Sequence, residues 1–381
     1  MENKTVTGTQ VDYFLIDDRF EKCKDVKSRL VYGDESVICN PWITVVVPTY
    51  RRPHQLKDAL TSILTQHVTE FNWDVVVVDN EPDDLCENDT ERLIREINNP
   101  RILYYRNSEN IWVGDNFNRC ILLARGKWVV MLHDDDMLIA NALNIIGALI
   151  NRYDLPDRPL GAIAASYIQV RYNPITDKIE DDIESMNRYY SNVPINYEVY
   201  QLTNNNVKAL SHVGGSAPTN GTTFRREAML KIGGFNKDYG ISGDLIIFYK
   251  LEQLYSVYQT MLPLGFYRWG MNSMMEKESL RKVIKDNYDF REYLYKQSLG
   301  NRIIGLLFRK CHYKRFSNFA INERVMISGE NISLEEFNDI YEERPNVIWY
   351  CFYILIEKIY AKHKYLQMKK NVRKTFKSKN K

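Results

Sequence analysis

Between Pro41 and Val170 the chain alternates short, uninterrupted apolar runs with segments of helical period. That alternation restricts the fold more than any other feature. Ile43–Val47 ("ITVVV"), "WDVVVVDN", "RILYY", "KWVVML" and "GAIAASYIQV" are rich in β-branched residues and show no polar alternation. A strand of that kind is buried on both faces. Between the runs, Leu56, Ala59, Leu60, Ile63 and Leu64 predict one helix, and Leu93, Ile94 and Ile97 a second. Phe117, Cys120, Ile121 and Ala124 line one face of a third, closed by Gly126, and Ala142 to Ile150 forms a fourth. The expected fold is α/β: a mostly parallel, Rossmann-like sheet with helices on both faces.

In such sheets ligands bind beyond the carboxyl ends of the strands. "PTYRR" follows the first strand, "DNEPDD" the second and "HDDD" the fourth, so all three polar clusters should share one edge. Residues 171–212 turn polar without a sustained period, which predicts an insertion over that edge. A Gly-rich stretch, "VGGSAPTNG", precedes a short helix at Glu227–Ile232 and another from about Asp244. Past Met275 the pattern is helical, with a capping box (Ser333, Glu336) and a staple of Ile332 on Phe337. The expected layout is an extension (1–40), a catalytic domain (41–275) and a helical region (276–381).

An apolar fraction of 44% with 26% charged residues excludes a disordered or membrane-embedded chain. The net charge of +2 conceals an asymmetry. Residues 357–381 hold ten Lys/Arg against one acidic residue, a net of +9, and the remainder nets −7. The basic character is a tail. Six scattered cysteines show no metal spacing, and Cys120 and Cys351 lie in apolar-rich stretches, so buried free thiols in a reducing compartment are expected. The opening "MENKTVTGTQVDYFLIDD" lacks a basic start followed by an apolar stretch, and no apolar run approaches ~20 residues. A cytoplasmic location follows.

Asp134, Asp135 and Asp136 beside His133 could form an acid/base pair or a site for a cation carried in by a phosphorylated ligand; an all-protein metal cage would need more ligands than this loop supplies. They could also be an exposed acidic turn before a helix. The motifs "VVVPTYRRPHQLKDALTSIL", "DVVVVDN", "NIWVGDNFNRCILLARGKWVVMLHDDDML" and "GTTFRREAMLKIGGFNKDYGISGD" decide between these. In that order they resemble family-2 glycosyltransferases of the GT-A fold, over about Pro41 to Leu254, with a weaker echo at "FYRWGMNSM".

The resemblance implies that Pro48, Thr49, Tyr50 and Arg51 line the nucleotide pocket, with Asn110 beside them. Asp79 would accept a hydrogen bond from the uracil N–H; otherwise it is a turn residue. The Asp cluster becomes a DxD-type site for Mn2+ or Mg2+, with Asp135 the main ligand, Asp136 in support and Asp134 near the ribose. This register puts His133 where relatives often have the first Asp, as a ligand or a packing residue. Asp244 corresponds to the general base, and a carboxylate at a helix N-terminus is held ionised and pointing outward. Two departures stand out. Trp269 and Gly270 follow Tyr267-Arg268 where relatives often carry a metal-binding His, and Gly243 replaces the acidic residue that often precedes the base.

The implied activity is metal-dependent, inverting hexosyl or N-acetylhexosaminyl transfer, from a UDP-sugar to a glycan or lipid-linked acceptor in bacterial surface-polysaccharide synthesis. A sugar nucleotidyltransferase would need a Gly-rich loop after the first strand, and "PTYRRPH" has no Gly. A phospho-receiver is far shorter. An inactive membrane scaffold would not need Asp79, Asp135 and Asp244 together. The run "VIWYCFYILI" (Val347–Ile356) is too short to span a bilayer and is either a core helix or, with the basic tail, an interfacial anchor on the inner face of an anionic membrane. The adjoining apolar run favours lipid over nucleic acid for those charges.

Overall fold

The computed structural model describes residues 12–15, 17–173, 175–176, 178–192, 199–202, 219–269, 277–328, 340, 345–359 and 362. The chain begins with α1 (Arg19–Cys23) and β1 (Ser28–Tyr32). The expected alternation follows: β2 (Ile43–Thr49), α2 (Pro53–Leu64), β3 (Trp73–Asp79), α3 (Asp89–Ile97), β4 (Ile102–Asn107), α4 (Val113–Leu123) and β5 (Trp128–Met131). After β6 (Met137–Leu138) come α5 (Ala142–Tyr153) and the long β7 (Leu160–Asn173).

Every residue of β2 is buried, and the period of two explains how. Val45 and Val47 point into a core shared with Leu56, Leu60 and Ile63 of α2 and with Ile146 of α5. Val46 points the other way, toward Cys120 and Ile121 of α4. Pro53 in the first turn starts α2, and the Asn88 side chain caps α3 by accepting from Glu91 N.

Strands β4, β3, β2 and β5 run parallel in that order, forming the core of a mixed sheet. Beyond them the sheet departs from simple winding. β10 (Thr222–Arg225) inserts antiparallel between β5 and β7. β11 (Ser256–Trp269) lies parallel to β7 and also pairs with β6, in a stretch where the sequence predicted no strand. The segment read as an N-terminal extension belongs to the sheet: β1 closes its edge antiparallel to β4. Arg19 donates to both oxygens of Asp115 on α4, and Phe20 is buried in the α4-side core.

Within 171–212 the chain forms β8 (Lys178–Ile179), α6 (Ile183–Asn192) and β9 (Val199–Leu202), the last paired with β11. Short α7 (Arg226–Ile232) and a 3-10 turn (Lys237–Ser242) lead into α8 (Gly243–Leu254). Helices α9 (Lys277–Lys296), α10 (Leu299–Ser328) and α11 (347–359) complete the chain. The Ser333–Glu336 box and the Ile332–Phe337 staple lie outside the described residues, as does most of the basic tail. All six cysteines are free, but Cys351 is exposed, as are Cys39 and Cys86. The apolar run around Cys351 forms a helix buried on one side, and Cys351 is on the other.

If the N-terminal segment belongs to the core, Phe20→Ala should cost about 3–5 kcal/mol, the scale for emptying a buried aromatic site. Urea unfolding measures this, and an unchanged midpoint would make the segment an appendage.

Candidate active site

The carboxyl ends of β2, β3 and β5 bring the three polar clusters to one edge, as the alternation requires. At the end of β5 the backbone leaves the sheet through His133, and Asp134, Asp135 and Asp136 are all buried. Each is compensated differently. Asp134 accepts from Thr49 Oγ1 at 2.8 Å and from Arg52 Nη1 at 3.4 Å. Asp135 accepts from the same Arg52 nitrogen at 3.1 Å. Asp136 accepts from the backbone N of Arg268 on β11 at 2.7 Å, and its other oxygen, fully buried, has no hydrogen-bond partner among the described residues.

Burial, reinforced by Asp135, pushes the Asp134 carboxyl up to about 6, with Arg52 and Thr49 opposing. The same two causes push Asp136 well above the usual carboxylate range, against Arg268. Burial holds His133 below the ordinary imidazole value, which keeps a nitrogen lone pair available. One potential ligand atom from each of His133, Asp135 and Asp136 lies within 4.8 Å of the other two. An N,O,O set with an unpartnered buried carboxylate oxygen fits a divalent cation that keeps open positions for water and phosphate oxygens.

Opposite this cluster runs the Thr219–Asn220 strap. Gly221, at φ +66°, turns it into β10, and Gly221 N donates to Met131 O at the end of β5. Asn220 Oδ1 accepts from His133 N at 3.3 Å, and Thr219 Oγ1 lies 3.1 Å from His133 Nε2. Thr219 N donates to Asp244 Oδ2 at 3.2 Å, and Asp244 stands in the first turn of α8. Thr219 therefore touches both His133 and Asp244. Burial, opposed by the Thr219 hydrogen bond, pushes Asp244 up to about 6.

The predicted nucleotide-side residues divide into two groups. Pro48 and Thr49 are buried at the end of β2, and Thr49 is spent on Asp134. Tyr50, Arg51 and Asn110 are exposed. Arg51, held at φ +55°, lies over the Tyr50 ring and donates to Glu81 Oε1 at 2.7 Å. Asn80 anchors the backbone beside Asn110 through two hydrogen bonds with Ile111.

Asp79 is different from both groups. It has no exposed surface, and its oxygens accept from Glu81 N, Asn88 Nδ2 and Tyr104 Oη at 2.9, 3.0 and 2.8 Å. In this arrangement it secures the β3 turn, and a base could reach it only if one of those donors withdrew.

Three contributors escaped the sequence reading. Arg52 ends the "PTYRR" cluster, one residue past Arg51, and was given no role of its own. Thr219 and Asn220 end the Gly-rich stretch "VGGSAPTNG", which the sequence marks as a loop without placing its side chains. His133, left open as packing or ligand, has a ring nitrogen grouped with Asp135 and Asp136 oxygens and also stacks on Phe117 at 5.4 Å.

Residues 44–207 match the model of "Glycosyl transferase family 2". Over that span the chain is similar to family-2 glycosyltransferases. The mixed α/β sheet with its parallel centre is the expected fold class, and the matched span holds every predicted site residue except Asp244. The transferase WcaA of Escherichia coli (strain K12), named for colanic acid biosynthesis, is 31% identical over 109 residues, covering 28% of this chain and 37% of that protein. The Escherichia coli enzyme named UDP-Glc:alpha-D-GlcNAc-diphosphoundecaprenol beta-1,3-glucosyltransferase WfgD is 26% identical over 103 residues, covering 27% and 38%. The chain thus spans about two fifths or less of the curated relatives it matches. A solved structure of S. aureus TarS 1-349 in complex with UDP-GlcNAc superposes with a TM-score of 0.49 at 15% identity, covering 78% of this chain and 79% of that one.

Replacing Asp79 with Ala takes an acceptor from Glu81 N, Asn88 Nδ2 and Tyr104 Oη, of which Asn88 keeps Glu81 Oε2 and Tyr104 keeps Asn88 Oδ1. The loss of a buried hydrogen-bond partner costs about 1–3 kcal/mol. Asp79→Ala should therefore lower stability by about 2 kcal/mol or more in the absence of nucleotide. Urea unfolding with no UDP present measures it, and a wild-type midpoint would remove the structural role.

Proposed function

We propose that this transferase moves a sugar, with inversion, from a nucleotide diphosphate sugar to a glycan hydroxyl, using a divalent cation at His133, Asp135 and Asp136. The observation that carries this reading is Thr219, which contacts both His133 and Asp244 and so holds the candidate base one residue from the cation set. Inversion requires those two centres to be adjacent but distinct. The acceptor hydroxyl attacks the anomeric carbon, the carbon–phosphate oxygen bond breaks, and the nucleoside diphosphate leaves with the electron pair. Asp244 takes the hydroxyl proton as the new bond forms. A Mn2+ or Mg2+ ion would neutralise charge on the departing diphosphate. Arg52, half-exposed beside the cluster, is positioned to turn toward the same phosphates.

The donor is proposed to be a UDP-sugar, held by Pro48–Arg51, Asn110 and Asp134, with Asp79 reaching the uracil after Asn88 or Tyr104 releases it. The name of the WfgD relative, with its UDP-Glc donor and diphosphoundecaprenol acceptor, supports a UDP-sugar and a lipid-linked glycan. The names of relatives in colanic acid synthesis and abequose transfer support a role in bacterial surface polysaccharide. An acceptor carried on lipid makes residence at the inner face of the membrane useful, and the basic tail supplies an electrostatic contact with anionic lipid. No helix among the described residues is long and apolar enough to cross a membrane.

Asp135→Asn should remove Mn2+ binding by calorimetry and abolish transfer. Transfer that persists in the variant, or in wild type with excess EDTA, would sink the metal assignment.

Asp244→Asn should cut turnover roughly a hundredfold or more while leaving UDP affinity intact, because a lost base acts on the chemical step. Burial raises the Asp244 pKa, so its neutral form accumulates as pH falls through about 6, and the wild-type rate should fall on that acid limb. A parallel loss of UDP affinity, or a rate flat between pH 5 and 7, would make Asp244 a cap of α8 and nothing more.

A further inference from the structure

The run 347–356 is neither a buried core helix nor a simple prelude to the tail. Asn346 caps it by accepting from the Ile348 and Trp349 backbone nitrogens, and Pro345 precedes the cap. One face of α11 packs on α10: Trp349 stacks on Phe308 at 5.4 Å, Tyr353 is buried beside Phe308 and Cys311, and Glu357 pairs with Arg315 at 3.1 Å. The opposite face carries Ile348, Phe352, Leu355 and Ile359, spaced four, three and four residues apart and all exposed. That spacing is one continuous stripe of a helix.

Helix α10 exposes apolar residues of its own. Ile303 and Leu306 are exposed there, and Leu306, at 83%, is as open as Ile348, at 81%. The Trp349 indole, in contact with Phe352, donates to Leu307 O and joins the two helices at this edge. Isolated apolar side chains are ordinary on a protein surface, but four on one helical stripe beside further exposed apolar residues on an adjoining helix are not.

Charge identifies what covers it. Lys358 and Lys362 are exposed beside the lower end of the α11 stripe, and Lys310 beside that of α10. Residues 299–314 contain no acidic residue, and the one carboxylate of 345–362, Glu357, is turned inward on Arg315 and Tyr353. A second copy of the chain, docking through the same face, would set these cations against their own equivalents. An anionic lipid surface accepts both the apolar stripe and the cations, whose long stems let the ammonium groups reach the headgroups.

We propose that the outward face of α10 and α11 inserts shallowly into an anionic lipid leaflet, making the helix pair, and not the tail alone, the membrane contact. This rests on the reading of the tail for its electrostatic part only, because burying apolar side chains in acyl chains is insensitive to salt whereas tail–lipid attraction is screened. The full-length chain is sedimented with vesicles of 30% phosphatidylglycerol in phosphatidylcholine at 0.1 and 1 M NaCl. Three proteins are compared: wild type, Leu306→Glu/Ile348→Glu, and a chain lacking residues 363–381.

Wild type should bind at both salt concentrations. The double variant should lose at least tenfold in partitioning at 1 M NaCl while keeping its circular dichroism and its hydrolysis of free donor. The truncated chain should bind more weakly than wild type at 0.1 M NaCl, to about the level wild type shows at 1 M NaCl, and keep that salt-resistant part. Wild-type partitioning of the double variant at 1 M NaCl would overturn the insertion face. If in addition the truncation abolished all binding, the tail alone would be the anchor. A change from dimer to monomer in the double variant, by sedimentation velocity without lipid, would assign the face to self-association instead. Failure of wild type to bind these vesicles would overturn both readings.

Discussion

Three successive aspartates buried at the end of one strand repel one another, and much of the fold is arranged around that repulsion. A carboxylate removed from water without compensation costs several kcal/mol, so Asp134, Asp135 and Asp136 must be paid for by groups brought from elsewhere. Thr49 comes from β2, Arg52 from the start of α2 and the Arg268 backbone from β11, 132 residues beyond Asp136. The last contact depends on β11 reaching the site edge, which it does by pairing with both β7 and β6. The two irregular features of the sheet, inserted β10 and added β11, are therefore the ones that finish the acidic cluster. β10 carries the Thr219–Asn220 strap at its head, and β11 presents Arg268.

The compensation is deliberately incomplete in chemical terms. One guanidinium serves two carboxylates, and one oxygen of Asp136 has no hydrogen-bond partner among the described residues. Carboxylates in this state hold protons at pH values where free ones would not, which is the meaning of the raised values for Asp134 and Asp136. A site that resists ionisation by itself will ionise for a cation, releasing protons as it does so. On the proposed reading Arg52 and a divalent ion compete for Asp134 and Asp135 until a diphosphate arrives and gives the guanidinium another anion to bind. Cation and nucleotide would then strengthen each other's binding through one mobile side chain.

How much of this was legible depends on the range of the interactions. The parallel core could be read because each strand is signalled locally, by a β-branched run such as Val75–Val78, and each helix by its own apolar stripe. The position of the acidic cluster could be read because the carboxyl edge follows from the winding. β10 could not: four residues, "TTFR", carry no period, and their place between β5 and β7 is set by long-range pairing. Asp79 shows a subtler limit. Its position after β3 was plain, but Tyr104 and Asn88, which occupy it, are brought there by β4 and by the cap of α3. The same holds for Cys351, in an apolar run yet exposed, because a helix of that composition can bury only the side that has a neighbour.

That last point also joins the two ends of the molecule. Helix α9 packs against the elements around Asp244: Phe290 meets Tyr249 of α8 edge-on at 5.0 Å, and Tyr13 lies against both Phe290 and Tyr239. α10 packs on α9 through the Tyr288–Tyr313 pair at 4.2 Å, and α11 packs on α10. Aromatic contacts of this kind fix relative orientation as well as burying area. A chain of packed helices thus runs from the candidate base to the exposed stripe. If the stripe rests in a leaflet, the site's orientation to the surface is set by that packing rather than by a flexible tether. An acceptor whose lipid anchor lies in the same leaflet would then meet Asp244 from a restricted direction, which lowers the orientational cost of the reaction before any contact with its sugars.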